Sequence, residues 1–398
     1  MRVAYVSTDP GVPVFGCKGC SVHVQGMLRA LVQHGDQVDL FARRFDGDPP
    51  RDLRAVRIHR LAPLGKSSSA EREQRLLAAN RELAQRLADE SPYDLIYERH
   101  ALWSHAAMEH AWSAGAVGLL EVNAPLVEEQ AQYRQLFDRD AAERAARWAM
   151  RAATVIVAVS EELAARLDRL PEAVGRVHAV SNGVDPDRFE IGALRRGCTG
   201  RTAYRVGFVG TLKPWHGIPT LLDAFARLHG QVNTSRLLIV GDGPGRDELL
   251  SVLNAFPTSL REAVEWTGAV QPAKIPGLLA SMDVAVAPYG ESDDFYFSPL
   301  KVYEYMAAGL PVIVSRVGEL RRLIEHGRSG LSCPPGDAVA LAEQLIRLHR
   351  DPVLRGKLGD AGRAVVMERH TWRAKLEQIL ELAGRRPVVA EACEEAGR

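Results

Sequence analysis

The residues with the clearest chemical potential lie in Phe297-Ser298-Pro299-Leu300-Lys301-Val302-Tyr303-Glu304. Proline costs no hydrogen bond at the first position of a helix, and a serine before it can cap free backbone N–H groups. A helix starting there would aim those N–H groups at an anion such as a diphosphate, with Lys301 exposed beside it. Glu304 would stand about a turn and a half into the helix, placed to take two hydrogen bonds from a ribose diol. Taken alone, the segment is explained equally well by an amphipathic helix with Glu304 as a surface charge. Two upstream loops have a matching character. Gly210-Thr211-Leu212-Lys213-Pro214-Trp215-His216-Gly217 follows an apolar run and offers glycines for close backbone approach, a lysine and a histidine. Gly241-Asp242-Gly243-Pro244-Gly245 follows the next run and opens a helix. Simple turn chemistry accounts for it too, and the GxGxxG spacing of dinucleotide sites is absent.

These loops need strands to hold them, and the strands are readable. Short apolar runs recur at Val3–Ser7, Val38–Ala42, Leu95–Tyr97, Val117–Val122, Val155–Ser160 and Val177–Val180. They begin again at Val206–Gly210, Leu237–Gly241, Val264–Thr267, Val284–Pro288, Pro311–Ser315 and Gly330–Cys333. Strands apolar at every position are buried on both faces, and their alternation with helical patterns predicts a doubly wound parallel α/β architecture. Ser21 is a candidate N-cap for a helix ending at Gly35, and a long amphipathic helix is expected over 126–151. The polar stretch Ile191–Thr202 reads as a linker. It separates an N-terminal domain over 1–190, joined by a C-terminal helix at about 371–384, from a second domain over 203–370. Residues 385–398 read as a disordered tail.

Composition narrows the partners. A chain of 398 residues suits two domains, and a formal net charge of +0 gives no reason to expect nucleic acid. No apolar run is long enough to span a membrane, and the N-terminus enters a strand directly without a signal-peptide layout. The five cysteines are scattered, which suits a reducing cytoplasm. Cys17 and Cys20 form a lone CxxC, read as two reduced loop thiols in preference to a zinc half-site. Asp46-Gly47-Asp48, Asp138-Arg139-Asp140 and Asp185-Pro186-Asp187 read as turns or helix surface, so no metal site is expected. Arginine is abundant and lysine rare, which draws attention to Lys213 and Lys301.

At this point the motifs add up to a resemblance. Along nearly its whole length the chain resembles glycosyltransferase family 4. The N-terminal strand is followed by Gly16-Cys17-Lys18-Gly19 and a helix. Next come Ser181-Asn182-Gly183-Val184-Asp185, the Gly210–Gly217 loop and Gly241-Asp242-Gly243-Pro244. Trp266-Thr267-Gly268 and Glu304-Tyr305-Met306-Ala307-Ala308-Gly309-Leu310-Pro311-Val312 complete the series. Each is common alone, and the order and spacing are distinctive. The resemblance implies a GT-B fold, two Rossmann-like doubly wound parallel-sheet domains facing across a cleft. It implies retaining transfer from a nucleoside-diphosphate sugar to a hydroxyl acceptor, with no essential metal or cofactor. The acceptor is left open among a polysaccharide, a lipid-linked glycan and a small natural product. Localisation is expected in the cytoplasm, or peripherally at the inner face of a membrane.

The same resemblance assigns Glu304 to the ribose and the backbone of Phe297, Ser298, Pro299, Leu300 and Lys301 to sugar and phosphates. It places Ala269 to Gln271, including Val270, near the base, and has the Gly16–Gly19 loop close over the donor. Gly210, Thr211, Lys213, His216, Gly241 and Gly243 line the diphosphate, with Lys213, Lys301 and Glu304 as the catalytic set. Acceptor contacts are expected from His100 and from Glu121 and Asn123, although His100 also fits a structural loop residue. Three positions depart from the family. Its first motif acid falls at Tyr296, and its phosphate-binding arginine and lysine fall at Thr211 and His216. Lys213, Lys301 and His216 are therefore expected to carry the diphosphate charge. An epimerase of similar fold and a catalytically silent donor-binding subunit are the competing readings.

Overall fold

The computed structural model describes residues 1–65, 68–189, 203–291, 295–296 and 298–384. The chain divides into two compact units, Met1–Ser181 together with the chain from Lys375, and Asn182–Ala374. The whole of the expected linker, the expected tail and Phe297 lie outside the described residues.

The first unit is built on seven strands, β1 (Arg2–Ser7), β2 (Gln37–Ala42), β3 (Arg57–Arg60), β4 (Leu95–Arg99), β5 (Val117–Val122), β6 (Val155–Ala158) and β7 (Val177–Ala179). They form one parallel sheet in the order β3-β2-β1-β4-β5-β6-β7. Strand β3 carries no apolar run, and a buried carboxylate accounts for it. Asp39 on β2 is fully buried, and Arg57 and His59, two apart on β3 and so on one face, both reach it, at 2.5 and 2.8 Å. Burial pushes the Asp39 carboxyl up, but these partners outweigh it and hold the group below the usual carboxylate range.

Two expectations need correction here. The helix assigned to Ser21 begins earlier, spanning Gly19–His34, and Ser21 is buried within it with no hydrogen bond to its Oγ among the described residues. Gly35 ends the helix in the left-handed conformation at φ 90°, as its type demands. The single helix over 126–151 is two, Leu126–Tyr133 and Arg139–Ala152. Glu73 explains the break, because its carboxylate accepts from the backbone N–H of Phe137 at 3.0 Å and of Asp138 at 2.9 Å. Asp138 then caps the second helix by accepting from the Ala141 N–H.

The second unit repeats the plan with β8 (Arg205–Val209), β9 (Arg236–Val240), β10 (Val264–Trp266), β11 (Val284–Ala287), β12 (Val312–Ser315) and β13 (Leu331–Cys333). The parallel order is β10-β9-β8-β11-β12-β13, so the winding reverses between β8 and β11. Ligands bind at such reversals, outside the carboxyl ends of the strands. Here β8 and β11 pair only through Val206 and Gly207 and then part. The Tyr305 hydroxyl enters the gap, accepting from the Val209 N–H at 2.7 Å and donating to the Val209 carbonyl at 2.9 Å. One buried phenol thus satisfies both backbone groups that the parting strands leave without a ladder partner.

Candidate functional site

Three loops at the carboxyl edge of the second sheet are stitched together by backbone. Gly210 N–H donates to the Val240 carbonyl at 2.9 Å, and Leu212 N–H to that of Asp242 at 3.1 Å. Gly241 N–H donates to the Gly268 carbonyl at 2.9 Å. The packing leaves no room for side chains. A Cβ on Gly241 would sit 2.0 Å from the Gly210 carbonyl oxygen, and one on Gly217, where φ is 64°, 1.6 Å from that of Pro288. Close backbone approach was the reason these glycines were singled out in the sequence, and their neighbours turn out to be the adjoining loops.

Beneath this floor lies Lys301, in the first turn of the Leu300–Ala307 helix. Its Nζ is buried without a hydrogen-bond partner among the described residues, 4.5 Å from the Phe208 ring centroid and 5.1 Å from that of Tyr289. A Cβ on Gly210 would lie 3.1 Å from that Nζ. Burial pulls the ammonium down to about 7. Two aromatic faces compensate only part of the desolvation, so among the described residues the cation has no matching anion. Ser298 does not cap the helix. Its Oγ accepts from the Asn182 N–H at 3.1 Å, and the helix starts after Pro299 with no side-chain cap. Its first N–H groups are therefore not taken by a capping side chain.

One turn along, Glu304 meets Arg188 at 3.4 Å, and the same guanidinium donates to the Pro272 carbonyl at 3.5 Å. Burial raises the Glu304 carboxyl and Arg188 opposes the rise. The two side chains are 23% and 24% exposed, open enough to meet a ligand. Arg188 follows the Asn182-Gly183-Val184-Asp185 motif and was not singled out, because only the fold brings it to Glu304. Val270, in the loop after β10, packs partly buried against the hydrophobic core of this unit.

His216 departs from its expected role as a phosphate cation. Its Nδ1 faces the Thr211 carbonyl oxygen, which can only accept, so Nδ1 carries the proton and Nε2 is bare. Burial, then the nearby Lys301 and finally Lys213, push the imidazole down to about 3 against the opposing pull of the Thr211 carbonyl. The ring is neutral and lends no positive charge. Lys213 is half-buried with its Nζ 5.5 Å from the Trp215 ring centroid, and Thr211 is exposed.

In the first unit, Gly16 holds a turn through its N–H to the Pro13 carbonyl at 2.9 Å, and Gln25 Nε2 donates to the Gly16 carbonyl at 3.0 Å. Gly19 is the first residue of its helix. Glu121 and Asn123 do come together. The Glu121 carboxylate meets His23 Nε2 at 2.7 Å and accepts from the Tyr97 hydroxyl and the Asn123 amide. Burial alone would raise Glu121, but His23, Arg99 and Tyr97 bring it down to about 2. His100 is tied to that strand by its N–H, which donates to the Glu121 carbonyl at 2.8 Å, and its buried ring nitrogens have no hydrogen-bond partner among the described residues. Its imidazole is lowered to about 4 by burial, with Arg99 adding to the shift. Glu98, missed in the sequence, is fully buried on β4 beside Ser104, and burial raises it to about 7. Among the described residues no group of three or more histidine, cysteine or acidic side chains is arranged to hold a metal ion.

Comparison with known proteins covers both units. The model for Glycosyltransferase Family 4 matches residues 18–188, and that for Glycosyl transferases group 1 matches residues 203–351. The phosphatidyl-myo-inositol mannosyltransferase of Mycobacterium leprae is 32% identical over 204 residues, a match spanning 51% of this chain and 52% of that protein. Among solved structures, sucrose-phosphate synthase from Thermosynechococcus elongatus aligns over 96% of this chain and 98% of its own. Its identity is 24% and its TM-score 0.72. Anabaena HepE in complex with UDP aligns over 96% of this chain and 100% of its own, at 20% identity and TM-score 0.70. With one family model on each parallel sheet and superpositions that run through nearly the whole chain, the protein belongs to glycosyltransferase family 4 and has the GT-B fold.

Proposed function

We propose that the chain is a retaining glycosyltransferase that moves a sugar from a nucleoside-diphosphate sugar, bound by its second unit, to a hydroxyl acceptor. The observation carrying this reading is the buried Lys301 ammonium, unpartnered among the described residues, under Gly210 at the point where the sheet reverses. A diphosphate resting on the Gly210–Lys213 backbone would supply the missing anion, and the UDP bound to the HepE neighbour supports a ligand of that class. Glu304, braced by Arg188, would take the ribose diol.

The chemistry follows from where charge develops. As the bond from the anomeric carbon to the diphosphate oxygen breaks, negative charge grows on the leaving group and positive charge on the sugar. Lys301 and Lys213 oppose the former, and in a desolvated site this is the larger catalytic term. The acceptor hydroxyl adds to the anomeric carbon on the face the diphosphate leaves, and the departing phosphate oxygen takes its proton. These cations let the reaction run without a bound metal. His100, Glu121 and Asn123 of the first unit are assigned to the acceptor side, where both His100 nitrogens are buried and have no hydrogen-bond partner among the described residues. We place the enzyme in the cytoplasm, with Cys17, Cys20 and Cys333 as free thiols and any membrane contact peripheral. No described helix is long and apolar enough to cross a membrane.

Calorimetry with UDP-, GDP- and dTDP-sugars, with hydrolysis followed in parallel, tests the assignment. One donor should bind and be slowly hydrolysed, and Glu304→Ala should lower both at least tenfold. Failure of every donor to bind would overturn the reading.

A further inference from the structure

The Gly210–Gly217 loop holds a histidine where the family places a phosphate-binding lysine, and the fold has fixed what that histidine can do. Its Nδ1 proton is committed to the Thr211 carbonyl, so the free nitrogen, Nε2, has a lone pair and no proton to give. Nε2 makes no hydrogen bond among the described residues. A phosphate oxygen is itself an acceptor, so the two would repel. The neighbours prevent the ring from becoming a cation. Lys301 and Lys213 carry charge nearby, and the imidazole packs at 5.5 Å from the Tyr289 ring and 6.0 Å from the Phe208 ring. A lone-pair acceptor at the edge of a ligand site calls for a hydroxyl or N–H donor.

Position then decides which part of the ligand this is. Arg188 links Glu304 to the Pro272 carbonyl, just past β10, at one end of the carboxyl edge. His216 packs on Tyr289, just past β11, on the other side of β8, and Lys301 lies between Phe208 and Tyr289. With the ribose at Glu304 and the diphosphate over Lys301, what reaches His216 is the transferred sugar. We propose that His216 is a specificity-determining residue that accepts a hydrogen bond from a hydroxyl of the transferred sugar through Nε2, and is not a phosphate ligand. This rests on the donor reading above and adds to it which end of the ligand the loop recognises.

The test separates sugar from phosphate. Binding of UDP and UDP-glucose, and of GDP and GDP-mannose, is measured by calorimetry for the wild type and for His216→Ala, His216→Gln and His216→Lys. For the pair that the wild type binds, His216→Ala should weaken the nucleotide sugar about tenfold and leave the free nucleoside diphosphate within about twofold. His216→Gln, whose amide oxygen also accepts, should recover most of the sugar affinity. His216→Lys should tighten the nucleoside diphosphate without restoring the preference for the sugar. Equal weakening of both ligands in His216→Ala would make the residue a phosphate contact or a loop brace, and no change in either would leave it without a role in the ligand; both outcomes overturn the inference while leaving the donor reading in place. Failure of the wild type to bind either pair would remove the donor reading itself, and this inference with it.

Discussion

If Lys301 meets the donor diphosphate as proposed, donor affinity should depend on pH. Burial between Phe208 and Tyr289 holds its ammonium at about 7 in the free chain. A diphosphate within hydrogen-bond reach would restore it at least to the ordinary lysine range, about 10.4. Only the protonated form offers the charge, so affinity is level below pH ~6 and falls as the free ammonium is lost. With a free value near 7, the protonated fraction drops from roughly 0.9 at pH 6 to roughly 0.03 at pH 8.5. The dissociation constant should rise roughly thirtyfold across that range, about 2 kcal/mol. Binding near pH 7 should take up about half a proton. The assay is calorimetric titration of whichever of UDP-glucose and GDP-mannose the wild type binds, in buffers of differing ionisation enthalpy. Neither ligand's diphosphate titrates in this window. Lys301→Arg, with a guanidinium that does not titrate, should bind with a level pH profile. Wild-type affinity that stays constant from pH 6 to 8.5 with no proton uptake would refute the argument.

Two further outcomes are expected. Tyr305→Phe removes the one hydroxyl that satisfies both the Val209 N–H and its carbonyl. It should cost about 1–3 kcal/mol in urea unfolding and weaken the donor, because the Gly210 loop loses its anchor. Glu121→Gln should destabilise the first unit at neutral pH and flatten its acid response. The wild-type carboxyl is held at about 2, below its unfolded value, so its stabilisation is complete above pH ~4.5 and is lost as pH falls towards 2. That contribution is on the order of 3 kcal/mol, read as the acid-limb difference between wild type and variant in thermal melts.

What the sequence could disclose follows from the kind of force involved. Continuous apolar runs mark strands buried on both faces, so twelve of the thirteen described strands were visible as runs such as Val3–Ser7 and Val284–Pro288. Strand β3 was not, because Arg57 and His59 are held by one buried carboxylate distant in sequence and show no apolar pattern. The break in the 126–151 helix was hidden for the same reason: it depends on Glu73, far upstream. Local start signals also yielded to long-range partners. Ser298 had the type and place of a cap, yet the Asn182 N–H takes its oxygen. The glycines of the strand-end loops were legible by residue type alone, although the backbone that requires them, Gly210 beside Gly241 and Pro288 beside Gly217, is distant in sequence. Arg188, Tyr305 and Glu98 act through contacts made only in the folded chain, so no spacing rule points to them.

The departures from the family pattern fit one another electrostatically. Lys301 lies where no acid among the described residues pairs with it, and Glu304 is already matched by Arg188. An additional carboxylate at position 296, where the family's first motif acid falls and this chain has Tyr296, would bring a second negative charge to a site with one buried cation. Cations at positions 211 and 216 would do the reverse, crowding Lys301 and lowering its ammonium further, since like charges reinforce the effect of burial. The chain has neutral residues at all three places: Tyr296, Thr211 and a His216 whose proton is fixed on Nδ1. With none of these groups charged, the main charge partner of a bound diphosphate would be the ammonium under Gly210, and the loop above it would be left to read hydroxyls, as proposed for His216.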